Sequence, residues 1–450
     1  MKKKPLFFFS LLFLLVCCSK QRMVKRLEPT EMPKLIVPEV KEVTFKNGMT
    51  CFLLEDHTLP LVTISAMTHV GSIYESPSKR GLARFVGRFM RSGGTRAFSP
   101  SQFDKKLDDS GIVMETEIHR EKGEASLQVL SDHLEEGIHS FIEMLLRPRF
   151  DPNRLDIVKN NLLEDIRRER DDPATVAAKA IRKLIYGADN PWAREPVEED
   201  IKKLTRNDAQ TFHATFFRPQ NIILAIAGDF STEKVISMLE QWMQEVSSLP
   251  FTFPVVPETP LQFKARDLWI EKDLTQSYIH LGHLGVKRTN PDKYALLLMN
   301  YILGGAFKSR LVEEIRSQRG LVYYVSSGFS PETDYGLFEV RLATKSESTE
   351  EAIAAITSHI RRLHEGGGVS DLELAFAKKS LLNQQIFSFD SAFRVVEQRA
   401  LFRFYGYPDD YWKEFRDSLQ SVTKEDILRV SQTYLHPDEL VRVVVGKKND

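Results

Sequence analysis

Leu204-Thr205-Arg206-Asn207-Asp208 returns later in the chain as Val422-Thr423-Lys424-Glu425-Asp426. In each copy a threonine precedes an acidic residue by three positions. That is the spacing of a capping box, in which hydroxyl and carboxylate satisfy the free backbone N–H groups that open a helix. The likeness continues: Phe217-Arg218-Pro219 returns as Leu435-His436-Pro437, and Gly228 returns as Gly446, each 218 positions on. Capped helix, proline, apolar strand and glycine form one supersecondary unit, so its recurrence predicts two copies of one α+β unit in tandem. Each is expected as a mixed or antiparallel sheet with helices packed on one side.

The pattern around the first copy is consistent with this. Val43–Phe45 and Thr50–Leu54 flank Asn47-Gly48, a strong hairpin turn. Further strands are expected over 61–69, 112–118, 124–129 and 221–227, with helical periodicity from 132 to 186 and a helix over 232–246. Pro250, Pro254, Pro257 and Pro260 forbid both helix and central strand and mark a linker at 247–262. The expected halves are therefore 36–246 and 263–450, and a chain of 450 residues is long enough for two cores.

Composition narrows the class. Lys+Arg and Asp+Glu balance at 62 each, which speaks against a nucleic-acid partner. Lys2, Lys3 and Lys4 precede an apolar stretch, Leu6–Val16, too short to span a bilayer. It ends in Leu14-Leu15-Val16-Cys17-Cys18-Ser19, which resembles a relaxed bacterial lipobox. Residues 1–18 are thus expected as a lipoprotein signal peptide, with Cys18 (or Cys17) lipidated, and 19–35 as a flexible tether. The resemblance implies a lipid-anchored protein on the periplasmic side of a bacterial envelope. Cys51 is then the cysteine left in the body, on an alternating strand, and reads as core.

Gly81-Leu82-Ala83-Arg84-Phe85-Val86-Gly87-Arg88-Phe89-Met90 is a helix with two arginines one turn apart, followed by Gly93-Gly94-Thr95. This frame resembles the zinc helix of the insulinase/pitrilysin-like metallopeptidases, the inverzincins, which carry His-x-x-Glu-His there. Here Arg84 and Arg88 stand at the histidine positions and Gly87 at the glutamate position. A guanidinium has no lone pair to give a metal and stays charged, and glycine has no group to act as general base. The family's spacing to its third ligand leads from Arg88 to Asp165. The likeness covers roughly 38–447 and includes Gly71-Ser72-Ile73-Tyr74-Glu75, Asp171-Asp172-Pro173 and Asn190-Pro191-Trp192-Ala193-Arg194. In the second half, Leu303–Leu311 and Glu314–Tyr323 resemble the family's C-terminal signature. There an arginine and a tyrosine seven positions apart reach substrate, and Arg316 and Tyr323 match them.

The resemblance implies a metallopeptidase fold that is not catalytic alone. It points to a non-catalytic subunit that shapes the chamber and binds a peptide or unfolded protein. The chain itself is expected to hold no cofactor, zinc belonging to a partner chain of the same family in a heterodimer. Arg316 and Tyr323 would support the transition state, and one of the two arginines would replace the metal by pairing with Asp165. The alternatives are a stand-alone envelope scaffold or peptide binder on an inactive fold, and residual hydrolysis by an unusual site.

Overall fold

The computed structural model describes residues 38–243 and 252–448. The positions read as signal peptide and tether, Cys17 and Cys18 included, lie outside them.

In the first half the strands are β1 (Lys41–Thr44), β2 (Thr50–Glu55), β3 (Leu61–Thr68), β4 (Val113–Ile118), β5 (Gly123–Leu130) and β6 (Ile222–Gly228). They form one sheet in the order β1-β2-β6-β3-β5-β4, antiparallel except for the β2–β6 pair. The second half has β7 (Arg266–Glu271), β8 (Gln276–Leu284), β9 (Val322–Ser330), β10 (Leu337–Lys345) and β11 (Val441–Gly446). Their order is β7-β11-β8-β10-β9, again with one parallel pair, β11–β7. The fold is α+β with two tandem halves. The helical stretch expected from 132 to 186 breaks into helices Leu134–Leu146, Leu155–Asp171 and Pro173–Tyr186. Pro152 and Pro173 each stand at the start of a new helical segment, where a missing N–H costs nothing.

The repeat has a physical basis. Thr205 Oγ1 accepts from the Asp208 N–H at 3.1 Å, and the Thr205 N–H donates to Asp208 Oδ2 at 2.8 Å. Thr423 and Asp426 make the same two bonds at 3.1 and 2.9 Å. The repeated glycine ends β6 and β11 where a neighbouring strand lies close. A Cβ on Gly228 would meet Leu61 O at 2.0 Å, and one on Gly446 would meet Ser277 Oγ at 2.8 Å.

Each half builds its core between one sheet face and its own helices. Phe85, Phe89, Phe103 and Phe141 fill the first, and Leu298, Met299, Ile356 and Ile360 the second. Cys51 is buried in the first core, and burial pushes its thiol up. The opposite faces carry something the sequence pattern did not announce: each half lends a helix to the other's sheet. Helix Pro173–Tyr186 lays Ala177 and Ile181 on Val441, Val443 and Val445 of β11. Helix Ala392–Tyr405 lays Val396, Ala400 and Phe404 on Phe52, Met67, Ala225 and Ala227 of the first sheet. The exchange is reciprocal and apolar, so the two halves form one packed body. Polar contacts join them too: Glu121, in the β4–β5 turn, accepts from Arg288 Nη2 at 2.7 Å and from the Thr333 N–H at 3.0 Å.

Candidate functional site: an ion-pair ladder beside an open cleft

The helix Leu82–Ser92 presents Arg84 and Arg88 on the face opposite its core residues Phe85, Val86, Phe89 and Met90. A carboxylate fixes its entry. Glu75 accepts from the Gly81 and Ala83 N–H groups at 2.9 and 2.7 Å, which satisfies donors a helix start leaves free. Burial dominates this group and pushes its carboxyl up to about 7, against the pull of those two bonds and of Arg194. Arg194 in turn donates to the Glu75 carbonyl at 2.6 Å, and Asp172 caps the helix Pro173–Tyr186 through the Thr175 N–H at 2.9 Å. All three of the quoted first-half motif segments thus act by holding backbone.

Asp165 comes from the facing helix, Leu155–Asp171. Its Oδ2 takes Arg88 Nη2 at 2.5 Å and Arg84 Nη2 at 3.1 Å, and its Oδ1 takes Arg168 Nη2 at 2.6 Å. The Asp165 side chain is 14% exposed, so three guanidiniums enclose one nearly covered carboxylate. A residue that sequence reasoning missed extends the cluster. Glu169 accepts from Arg84 Nη1 at 2.8 Å and from Lys179 Nζ at 2.7 Å. Lys179 reaches Glu195 at 3.3 Å, and Glu195 reaches Arg120 at 3.4 Å. Burial works to raise the Glu169 carboxyl, but the Lys179 bond and the Arg84 charge together hold it below the usual range. The signal for Glu169 was present: it lies four positions after Asp165, as Arg88 lies four after Arg84, so two pairs one turn apart face each other.

Gly87 sits against β4. A Cβ there would lie 3.1 Å from Ile118 N and 3.2 Å from Ile118 Cγ1, and Thr116 Oγ1 donates to the Gly87 carbonyl. The position lacks a carboxylate, and a side chain there needs Ile118 to give by a few tenths of an ångström.

The residues do not suit a zinc ion. At the two helix positions stand hydrogen-bond donors without lone pairs, and the remaining carboxylates are already committed to cations. Among the described residues, no group of three or more His, Cys, Asp or Glu side chains converges in a way that could hold a metal.

Beside the ladder lies a cleft of about 790 Å³ over the outer face of β3, β5 and β4. Thr63, Ser65, Ser126 and Gln128 floor it, Arg84 and Arg88 stand at one wall, and Phe393 and Glu397 of the lent helix Ala392–Tyr405 close another. Strand β4 is the edge of the first sheet, with Val113, Glu115 and Glu117 exposed along it.

Arg316 and Tyr323 lie elsewhere. Arg316 is on a π-helical segment, Leu311–Gln318, and Tyr323 is on β9, the edge of the second sheet. A break in the β9–β10 register leaves Tyr323 without a partner on β10, so Tyr323 and Tyr324 are both about half exposed, at 53% and 52%. No hydrogen bond or ion pair among the described residues links Arg316 or Tyr323 to Arg84, Arg88 or Asp165.

Fold and site together define a peptidase-like protein with an ion-pair ladder between helices Leu82–Ser92 and Leu155–Asp171. Two family models match in tandem: the insulinase peptidase family M16 over residues 51–190 and the M16 inactive domain over 203–381. The chain belongs to the insulinase family. It is 24% identical over 355 residues to an uncharacterized zinc protease, YmxG, of Bacillus subtilis, covering 78% of this chain and 85% of that one. It is 23% identical over 401 residues to a non-peptidase homolog of Helicobacter pylori, covering 88% and 91%. Its fold matches the crystal structure of an M16 inactive domain from Pseudomonas fluorescens with a TM-score of 0.82 at 25% identity, over 92% of this chain and 99% of that one. It also matches the periplasmic protease PqqL of Escherichia coli with a TM-score of 0.74 at 18% identity, over 99% of this chain and 49% of that one.

Proposed function

We propose that this chain is a non-catalytic subunit of a zinc peptidase, anchored by lipidated Cys18 on the periplasmic side of a bacterial envelope. A zinc-bearing chain of the same family supplies the metal and the general base. This chain completes the chamber, holds an extended peptide and presents Arg316 and Tyr323 to the reacting carbonyl. The observation that carries the reading is the contrast between two neighbouring features. The metal position is filled by the Arg84–Asp165–Arg88 cluster, while the cleft beside it stays open and polar, bordered by the unpaired edge of β4. An extended peptide gains main-chain hydrogen bonds by adding to such an edge. Arg316 is exposed and Tyr323 half exposed, as groups that serve a second chain must be.

In that arrangement the phenol of Tyr323 donates to a developing oxyanion and the Arg316 guanidinium holds a peptide carbonyl or carboxylate. The test mixes this chain with a zinc-bearing insulinase-family chain from the same genome and measures peptide cleavage. Full-length protein should assemble and raise turnover. Tyr323→Phe should assemble equally well yet lose about 10²–10³ of that turnover. Normal assembly with full cleavage in Tyr323→Phe and Arg316→Ala would remove the catalytic contribution and leave a scaffold.

A further inference from the structure

Phe307 is 76% exposed, Leu372 83% and Phe376 45%. Two cations tie the aromatic rings into one surface. The Arg316 guanidinium lies 5.8 Å from the ring centre of Phe307, and Lys308 Nζ lies 5.7 Å from that of Phe376. Leu372 is one turn before Phe376 on the same helix, Asp371–Ile386, and shares its outer face. The rings therefore link the turn after helix Lys293–Leu303, the π-helical segment Leu311–Gln318 and helix Asp371–Ile386.

The cations are unlike their neighbours. Arg310, close by in sequence, is clamped by Glu373 at 2.7 and 3.0 Å, and Arg84 and Arg88 of the first half are held in the ladder. Neither Lys308 nor Arg316 has a carboxylate within ion-pair reach among the described residues. Each is held over a ring instead, which orients the charge without neutralising it. A positive charge so positioned loses little freedom on meeting an anion. Exposed aromatic side chains and an arginine are also the composition of energetically dominant binding surfaces, and π-helical segments recur at functional sites.

We propose that Phe307, Lys308, Arg316, Leu372 and Phe376 form a binding surface for an acidic segment of extended polypeptide that carries apolar side chains between its carboxylates. The inference rests on the reading of this chain as a polypeptide-binding subunit and adds the class of segment it prefers. The carboxylates pair with Lys308 and Arg316, and the intervening side chains cover Phe307 and Leu372. A second copy of this chain does not fit, because two such surfaces would bring like charges together. A flat anionic membrane fits less well than a narrow strand. Exposed Glu313, on the segment that carries Arg316, would be pressed against it, beside Asp371, whose charge Lys424 offsets at 2.8 Å.

The test uses the full chain and two short rhodamine-labelled peptides, one alternating Glu and Leu, the other Lys and Leu, read by fluorescence anisotropy. The acidic peptide should bind about tenfold tighter or better, and its binding should weaken as salt is raised. Lys308→Gln combined with Arg316→Gln should erase that advantage, and Lys308→Glu with Arg316→Glu should reverse the preference. Phe307→Ala should weaken binding several-fold with an unchanged melting temperature, since the ring is exposed. Equal binding of the two peptides, or acidic-peptide binding unchanged by the double Gln variant, overturns the proposal. So does binding of phosphatidylglycerol vesicles in place of the acidic peptide, lost in the same variant. The two readings separate cleanly. Acidic-peptide binding by a chain that assembles with no zinc-bearing partner sinks the subunit reading and leaves this surface standing. Assembly and full cleavage with no acidic preference does the reverse.

Discussion

Removing the carboxylate of Asp165 probes the ladder at its centre. Asp165→Ala leaves Arg84, Arg88 and Arg168 around an empty position, with Arg84 alone keeping a second partner in Glu169. Breaking a fully buried pair by removing one partner costs about 3–5 kcal/mol, and an exposed pair is worth about 0–1. Asp165 itself is nearly covered, but Arg88 and Arg168 are 39% and 74% exposed and water screens them. Arg84, at 31%, carries most of the loss. The expected cost is about 1–3 kcal/mol. If the packed body of about 400 residues melts as one unit, this lowers the melting temperature by about 1–4 °C. Circular dichroism melts measure it, and a double-mutant cycle with Arg84→Met isolates the pair. Because a well-packed apolar replacement often equals a buried ion cluster, Asp165→Leu with Arg84→Met and Arg88→Met should recover much of the loss. A melt of Asp165→Ala within about 1 °C of wild type, with no coupling to Arg84, would refute the reasoning.

Glu75 links stability to pH. Its folded carboxyl is raised to about 7 by burial, so its contribution is fully present below the ordinary carboxylate range and is lost as pH rises through about 7. Melts from pH 4.5 to 8 should show a falling component of at most about 3 kcal/mol that Glu75→Gln lacks; identical profiles would argue against it. Arg84→His with Arg88→His and Asp165→Glu should create zinc affinity measurable by elemental analysis without peptide cleavage. Adding Gly87→Glu should lower the melting temperature, because Ile118 of β4, 3.1 Å from a Cβ there, must give by a few tenths of an ångström. If the N-terminal reading holds, Cys18→Ser with Cys17→Ser should shift the protein from the membrane to the soluble fraction on cell fractionation.

Much of the fold was legible because local chemistry repeats. Thr205/Asp208 and Thr423/Asp426 cap helices by the same bonds, and Gly48, with φ +88°, takes the hairpin turn that Asn47-Gly48 announces. The exchange of helices Pro173–Tyr186 and Ala392–Tyr405 was not legible. An amphipathic pattern says that a face is buried but not against which sheet. The site divided in the same way. Arg84, Arg88 and Asp165 could be placed by frame and spacing. Lys179, Glu195 and Arg120 come from three further segments, and their convergence with Glu169 on the ladder is a product of tertiary packing. Gly87 read as a missing base. That it is also the glycine that lets β4 approach required the packed structure.

The central claim is that side-chain charge has taken the metal's place, and zinc content measures it most directly. Protein purified with zinc present, then dialysed, should retain no stoichiometric zinc by elemental analysis, and Asp165→Ala should change nothing. One tightly held zinc per chain, lost on Asp165→Ala, would contradict the account.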